Sequence, residues 1–457
     1  MFSIDYNNPK KGYFIGIGGI SMSGLAEILV QKGFTVAGSD RDESSVTNKL
    51  KSDGIEVFCP QAAENIPDDA DFVVYTAAIS EDNPEFAECV RRGLPMMTRA
   101  QLLGQISDQY YRSIAVAGTH GKTTTTSMLS HILLAADCDP TISVGGILPA
   151  IYGNVRYGSS DIFLTEACEY TNSYHSIHPR YSVILNIEAD HLDFFKDLDE
   201  IRESFKKFAG NTASDGYLIV DASIDGYKKL FEGHPGTMIT YGSAADADWR
   251  SKDLLFHDDG TSSFVPVYRG KEFPKIDLSV PGIHNVENAL AAIATAHSMG
   301  ISFDAICEGL KSFKGANRRF EYKGQYKGIT IIDDYAHHPT EISATIAAAR
   351  RVKHQRLVIV FQPHTYTRTK ALLPEFAEAL SAADLVLLGE IYAAREKDIY
   401  GIHSSDLAEK INELGTECIN FNDFSEIEEF LKKNLINGDL LITMGAGNIY
   451  LVGEHLI

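Results

Sequence analysis

The stretch "SIAVAGTHGKTTTTSMLSHIL", residues 113–133, joins an apolar run to a helix-forming run through two glycines. "SIAVAG" reads as a short buried strand. "TTTTSMLSHILL" reads as a helix with Met128, Leu129, Ile132 and Leu133 on one face. A strand, a tight turn and a helix start point backbone N–H groups and the positive end of a helix dipole at one spot, which suits phosphate. Lys122 would neutralise charge there, and the Thr123 hydroxyl would reach a metal. The common phosphate-loop spacing is Gly, four residues, then Gly-Lys-Ser/Thr. Here the position five before Gly121 is Val116, and the nearest upstream glycine is Gly118. From this stretch alone a threonine-capped helix start stays open as the alternative.

Outward from the loop, strand-like runs alternate with helical patterns, which predicts an α/β chain with mainly parallel sheets. Three blocks emerge, and the expected domains are 1–108, 109–314 and 315–457. The first holds "YFIGIG", "FTVAGSD", "IEVF" and "DFVVYTAA". The second holds the loop, "DIFLTEACE", "YSVILNIEADH" and "GYLIVD". The third holds "GITIIDDYAHHP", "RLVIVFQPHTYTRT", "DLVLLGEIY" and "DLLITMGAGNIY". Polar residues follow directly after the strands, where open parallel sheets bind ligands. In the second block three strand ends deliver "GTHGKT", "EACEY" and "NIEADHLD". Lys122 and Thr123 are candidates for phosphate there, and Glu169 and His191 for metal.

In the first block, Gly16, Gly18 and Gly19 follow a strand and open a helix, which suits close approach to a diphosphate. Asp40 ends the next strand and is a candidate for a ribose hydroxyl. The sixth position of G-x-G-x-x-G counted from Gly16 is Ser21, so a nicotinamide oxidoreductase is one reading and another diphosphate ligand a second. In the third block Asp333 and Asp334 are candidates for ribose or metal, and Arg368 for a carboxylate. His337, His338 and His364 stay open between ligand, base and supporting roles.

With 457 residues and a net charge of -21, the chain is expected to bind neither nucleic acid nor anionic membrane. Its six cysteines are scattered without a C-x-x-C pair, which reads as a reduced complement. "MFSIDYNNPKKG" has no signal-peptide core, so a cytoplasmic location is expected. Monomer and homodimer are left open.

The whole chain resembles the Mur ligases, ATP-dependent amide-forming enzymes of peptidoglycan precursor synthesis. The resemblance is carried by "GIGGISMSGLA", "TAAISEDNPE", "GTHGKTTT", "NIEADHLD", "GIHNVENALAA", "RRFE", "DDYAHHPTEI", "FQPHTYTRT", "IYAAREKDIYGI" and "GAGNIY". The family's loop is the shortened form G-T-x-G-K-T, so Val116 is no defect. The resemblance implies an N-terminal Rossmann-like domain for a UDP-sugar, a central ATPase-like domain and a mobile C-terminal Rossmann-like domain. It implies UDP-N-acetylmuramate, L-alanine and ATP as substrates, and two Mg²⁺ ions for which Mn²⁺ substitutes. ATP would be held by Gly118, Thr119, His120, Gly121, Lys122, Thr123 and Thr124, by His284, Asn285 and Asn288, and by Arg319 and Asp334. Thr123, Glu169 and His191 would hold metal. Gly16, Gly18, Gly19, Ile20, Ser21, Ser39, Asp40, Thr76 and Ala77 would meet the UDP-sugar. His364 and Arg368 match the amino-acid end, and Lys122, His191, His364 and Arg368 are the expected catalytic set. Cys168 and Thr171 stand where many members have acids, and Thr365 where many have arginine. A ligase adding a preformed peptide to the same nucleotide sugar is the nearest rival.

Overall fold

Five parallel strands open the chain in the computed structural model, which describes residues 2–257, 260–394 and 396–457. They are β1 (Lys11–Ile15), β2 (Thr35–Ser39), β3 (Glu56–Phe58), β4 (Phe72–Tyr75) and β5 (Met96–Thr98), in the order β3-β2-β1-β4-β5.

The central sheet holds β6 (Arg112–Ala117), β7 (Thr141–Leu148), β8 (Gly153–Arg156), β9 (Ile162–Glu166), β10 (Tyr181–Ile184), β11 (Tyr217–Asp221) and β12 (Thr237–Tyr241). It continues through β13 (Trp249–Phe256), β14 (Ser262–Tyr268), β15 (Lys271–Glu272) and β16 (Ile276–Leu278). Its order is β15-β14-β13-β12-β11-β10-β6-β9-β7-β8, with β16 on β14. The third sheet is β17 (Glu321–Tyr326), β18 (Ile329–Asp334), β19 (Leu357–Phe361), β20 (Leu385–Leu388), β21 (Cys418–Asn420) and β22 (Leu440–Met444), ordered β17-β18-β22-β19-β20-β21.

The α/β expectation with mainly parallel pairing holds. The antiparallel pairs β7–β8 and β13 to β16 in the centre, and β17–β18 in the third sheet, were not foreseen. Their strands alternate buried and exposed residues weakly, so the period-2 signal is diluted there. By contrast β19 reads LVIVF and is buried throughout, as a parallel strand covered on both faces must be.

The helix after β6 spans Lys122–Ala135, and Met128, Leu129, Ile132 and Leu133 are all fully buried. Each such side chain contributes about 1.5–3 kcal/mol through burial. Against it lies the helix Ile283–Ser298, where "NALAAIATA" supplies strong helix formers whose small side chains permit close packing. Among the described residues no helix is long and apolar enough to cross a membrane.

Candidate active site

β10, β6 and β9 are neighbours in the central sheet and run parallel, so the loops after them open side by side. The loop after β6 uses Gly118 at φ +151° and Gly121 at φ +82°. A side chain at Gly121 would put its Cβ 2.6 Å from Asn288 Oδ1, so only glycine lets the helix Ile283–Ser298 sit this close. Asn186, which the sequence reading passed over, clamps the loop. Its Oδ1 accepts from the His120 amide at 2.8 Å, and its Nδ2 donates to His120 O at 3.1 Å. Thr119 Oγ1 accepts from the Glu188 amide at 2.9 Å. Lys122 Nζ donates to Gly118 O, to Thr119 O at 3.0 Å and to both Glu169 oxygens at 2.9 and 3.1 Å. Burial opposes its charge, but Glu169 outweighs that and raises its pKa.

Beside the metal candidates stands a further acid: Thr123 Oγ1 donates to Glu166 Oε2 at 3.1 Å, and Glu166 Oε1 accepts from the Gly145 amide at 2.6 Å. Glu166 ends β9 and was missed because "EACE" offers two acids, and sequence does not say which one reaches the loop. Glu169 is buried and 3.7 Å from His191 Nε2. Burial lowers the His191 pKa, which keeps the ring neutral. A hydroxyl, two carboxylates and a neutral imidazole thus border one cavity of about 680 Å³, which also reaches Ile20 of the first domain. The hydroxyl and carboxylate oxygens suit Mg²⁺, whereas the His191 imidazole is a softer donor. Cys168 lines the same cavity. Thr171 Oγ1 bonds back to Tyr170 O at 2.7 Å and supplies no acid substitute.

A second cavity, of about 310 Å³, runs from His120, Gly121 and Thr124 past His284, Asn285 and Asn288 to Arg319 and Asp334 across the domain seam. Burial drives the His284 pKa down to about 4, so this ring is neutral. Asp334 Oδ2 accepts from the Phe320 amide at 2.8 Å, and Oδ1 accepts from the Ala336 amide at 2.7 Å. Burial raises its pKa to about 6, although Arg319 and those amides pull the other way. The ionised acceptor therefore prevails above that pH. The KM for ATP is expected to rise as pH falls from about 7.5 to about 5, and Asp334→Asn should flatten the slope. A wild-type KM constant over this range would exclude Asp334 from the nucleotide.

In the first domain, Gly16 takes φ +85°, and Gly19 donates back to Gly16 O at 3.3 Å. Asp40, the candidate for a ribose hydroxyl, also supports the backbone around it. Its Oδ2 accepts from the Gly18 amide at 2.8 Å and its Oδ1 from the Arg41 amide at 2.8 Å, closing the glycine turn itself. Ser39 is fully buried and donates to Glu85. Ser21 Oγ accepts from Arg99 at 3.1 Å, and Ile20 O accepts from Asn154 of the central domain at 2.6 Å. The Thr76 methyl lies against Gly16, and Ala77 is exposed just after β4.

Arg368, the candidate for a carboxylate, is already engaged. Its Nε and Nη2 donate to Asp190 Oδ1 at 3.0 and 2.8 Å, across the seam between central and C-terminal domains. Its Nη1 approaches His364 Nδ1 at 3.0 Å. Arg368 holds the buried Asp190 carboxyl well below the usual range, against the effect of burial. Burial, with His337 and Arg368 adding repulsion, pushes His364 down to about 3. Thr365 has φ +67° and donates its amide to Tyr392 O at 2.9 Å. A pocket of about 200 Å³ lies here, walled by Tyr170, Asp190 and His191 on one side and His364, Thr367 and Arg368 on the other.

Three α/β domains, a strand–glycine turn–helix loop with an acid-rich floor, and a cavity completed across a domain seam make up the architecture. Family models match the chain in three consecutive pieces. They are the Mur ligase family catalytic domain over residues 11–111, the Mur ligase middle domain over 116–296 and the Mur ligase glutamate ligase domain over 318–447. The chain belongs to the Mur ligase family. A UDP-N-acetylmuramate–L-alanine ligase of Agathobacter rectalis is 56% identical over 457 residues, covering 100% of both chains. The enzyme of that name from Acetivibrio thermocellus is 50% identical, over 99% of this chain and 97% of its own. Among solved structures, the UDP-N-acetylmuramate–alanine ligase of Thermotoga maritima is 29% identical, with a TM-score of 0.83 over 98% of each chain. A murein peptide ligase of Psychrobacter arcticus is 25% identical, with a TM-score of 0.73 over 98% of each.

Proposed function

We propose that the chain joins the lactyl carboxylate of UDP-N-acetylmuramate to the amine of L-alanine, with ATP converted to ADP and phosphate. One observation carries this reading: the 680 Å³ cavity brings Ile20, Lys122, Glu169 and His191 to one space bordered by all three domains. A carboxylate is a poor electrophile, so it must first be activated. The carboxylate oxygen attacks the γ-phosphorus, the bond to the bridging oxygen breaks, and ADP leaves. The amine then attacks the acyl carbon, and phosphate leaves from the tetrahedral intermediate.

In this reading Lys122 turns from Glu169 to the phosphates and neutralises charge as the phosphoryl group passes. Thr123, Glu166, Glu169 and His191 would hold magnesium, as two ions, with Mn²⁺ able to substitute. Magnesium supplies charge neutralisation where two anions meet. His284, Asn285 and Asn288 border the base, and Arg319 and Asp334 reach the phosphates and ribose. Residues 1–108 hold the UDP-sugar through the glycine turn, 109–314 the ATP, and 315–457 the amino acid. The enzyme works in the cytoplasm, as a monomer or homodimer. The small pocket beside Arg368 favours a single amino acid over a preformed peptide, and no hydride chemistry is called for.

The direct test is phosphate release from ATP with UDP-N-acetylmuramate and Mg²⁺, each amine added separately. Release with L-alanine and none with a preformed tripeptide is expected; the reverse would assign the rival activity. Because the alanine pocket takes walls from two domains, L-alanine should bind weakly to enzyme alone. Affinity should rise about tenfold or more once the UDP-sugar and a non-hydrolysable ATP analogue favour the closed arrangement. This corresponds to binding in the order ATP, UDP-sugar, amino acid. Calorimetric titrations giving equal affinity in both states would mean a preformed site.

A further inference from the structure

Three side chains meet on the seam between the central and C-terminal domains, beside the reaction centre. His120 comes from the phosphate loop, Glu188 from the loop after β10, and His338 from the start of the helix Pro339–Ala349. One donor atom of each lies within 4.8 Å of the other two. His120 Nε2 is buried and makes no aligned hydrogen bond, although Glu188 Oε2 is 3.4 Å away. The other ring nitrogen, Nδ1, faces Glu341 Oε1 at 3.1 Å. A carboxylate on one imidazole nitrogen is what orients the opposite nitrogen toward a metal. The His338 ring lies 4.8 Å from that of His120, and its Nε2 has a long 3.3 Å contact with Ala189 O that exchanges easily. Thr340 Oγ1 donates to Glu188 Oε2 at 2.6 Å and steadies that carboxylate from the C-terminal side.

We propose that His120, Glu188 and His338 form a site for a transition-metal dication of the zinc class, which ties the C-terminal domain to the central one. Two imidazoles and a carboxylate favour Zn²⁺, Co²⁺ or Ni²⁺ over Mg²⁺. The site is thus chemically distinct from the oxygen-rich set of Thr123, Glu166 and Glu169. Zinc bonds of about 2.0–2.2 Å draw the three donor atoms closer than they now stand. Three protein ligands leave a fourth position open to water or a phosphate oxygen. His120 and Glu188 belong to one domain and His338 to the other, so a bound cation is a clasp. Ligases of this build must open to release product, and the clasp is therefore inhibitory.

The test uses the full chain in millimolar Mg²⁺, with zinc titrated against a chromogenic chelator. Wild type should bind zinc with a Kd of about a micromolar or tighter, and His338→Gln and Glu188→Gln should each weaken it about tenfold or more. Small-angle scattering should show zinc compacting wild type and leaving His338→Gln unchanged. Circular dichroism without zinc establishes that each variant is folded, and the two substitutions sit on different domains. Absence of zinc binding to wild type, unchanged affinity in both folded variants, or zinc displaced by magnesium would each overturn the site.

Discussion

Lys122→Ala is expected to lower turnover by about a thousandfold, with the domains still folded. The reason is geometric. Lys122 starts the helix at the phosphate loop, and its ammonium already sits over the carbonyls of Gly118 and Thr119. The ion pair with Glu169 adds a second consequence. Glu169 is buried, and removing its partner leaves an uncompensated charge worth about 3–5 kcal/mol of stability. A lower thermal midpoint would then confound the loss of activity. Lys122→Ala combined with Glu169→Gln separates the two, because it removes the stranded charge. The double variant should regain most of the midpoint and none of the turnover. A folded Lys122→Ala protein with turnover near wild type would refute the phosphate-loop assignment.

Arg368→Ala should raise the KM for L-alanine by about a hundredfold, within the 2–5 kcal/mol that truncating a buried charge pair typically costs. The KM for ATP should move far less, since Arg368 lines the small pocket and not the nucleotide cavity. Asp190 is the complication. Its Oδ1 takes two of the Arg368 donors, so the substrate carboxylate has to share or displace it. Asp190→Asn keeps a hydrogen-bond acceptor and sheds the charge, and it should change the alanine KM by less than Arg368→Ala. Steady-state kinetics with each substrate varied in turn distinguishes these outcomes. Equal rises in both KM values would mean that Arg368 serves domain closure as a whole.

Local chemistry was legible in the sequence, and partnership across the seam was not. "SIAVAGTHGKT" determines strand, turn and helix by itself, because period, glycine placement and apolar stripe all act within about twenty residues. The same holds for "GIGGIS" and for the runs that become β18, β19 and β22. What the tertiary structure alone decided is which acid answers which donor. Glu166 takes Thr123, Glu169 takes Lys122, and Asp40 turns inward to its own glycine loop. Asp190 and Arg368 are 178 residues apart and meet only because the loops that follow β10 and β19, strands of two separate sheets, face each other at the seam. Charges at such separation leave no periodicity in the chain, and their pairing is fixed by burial, where an unmatched ion is costly.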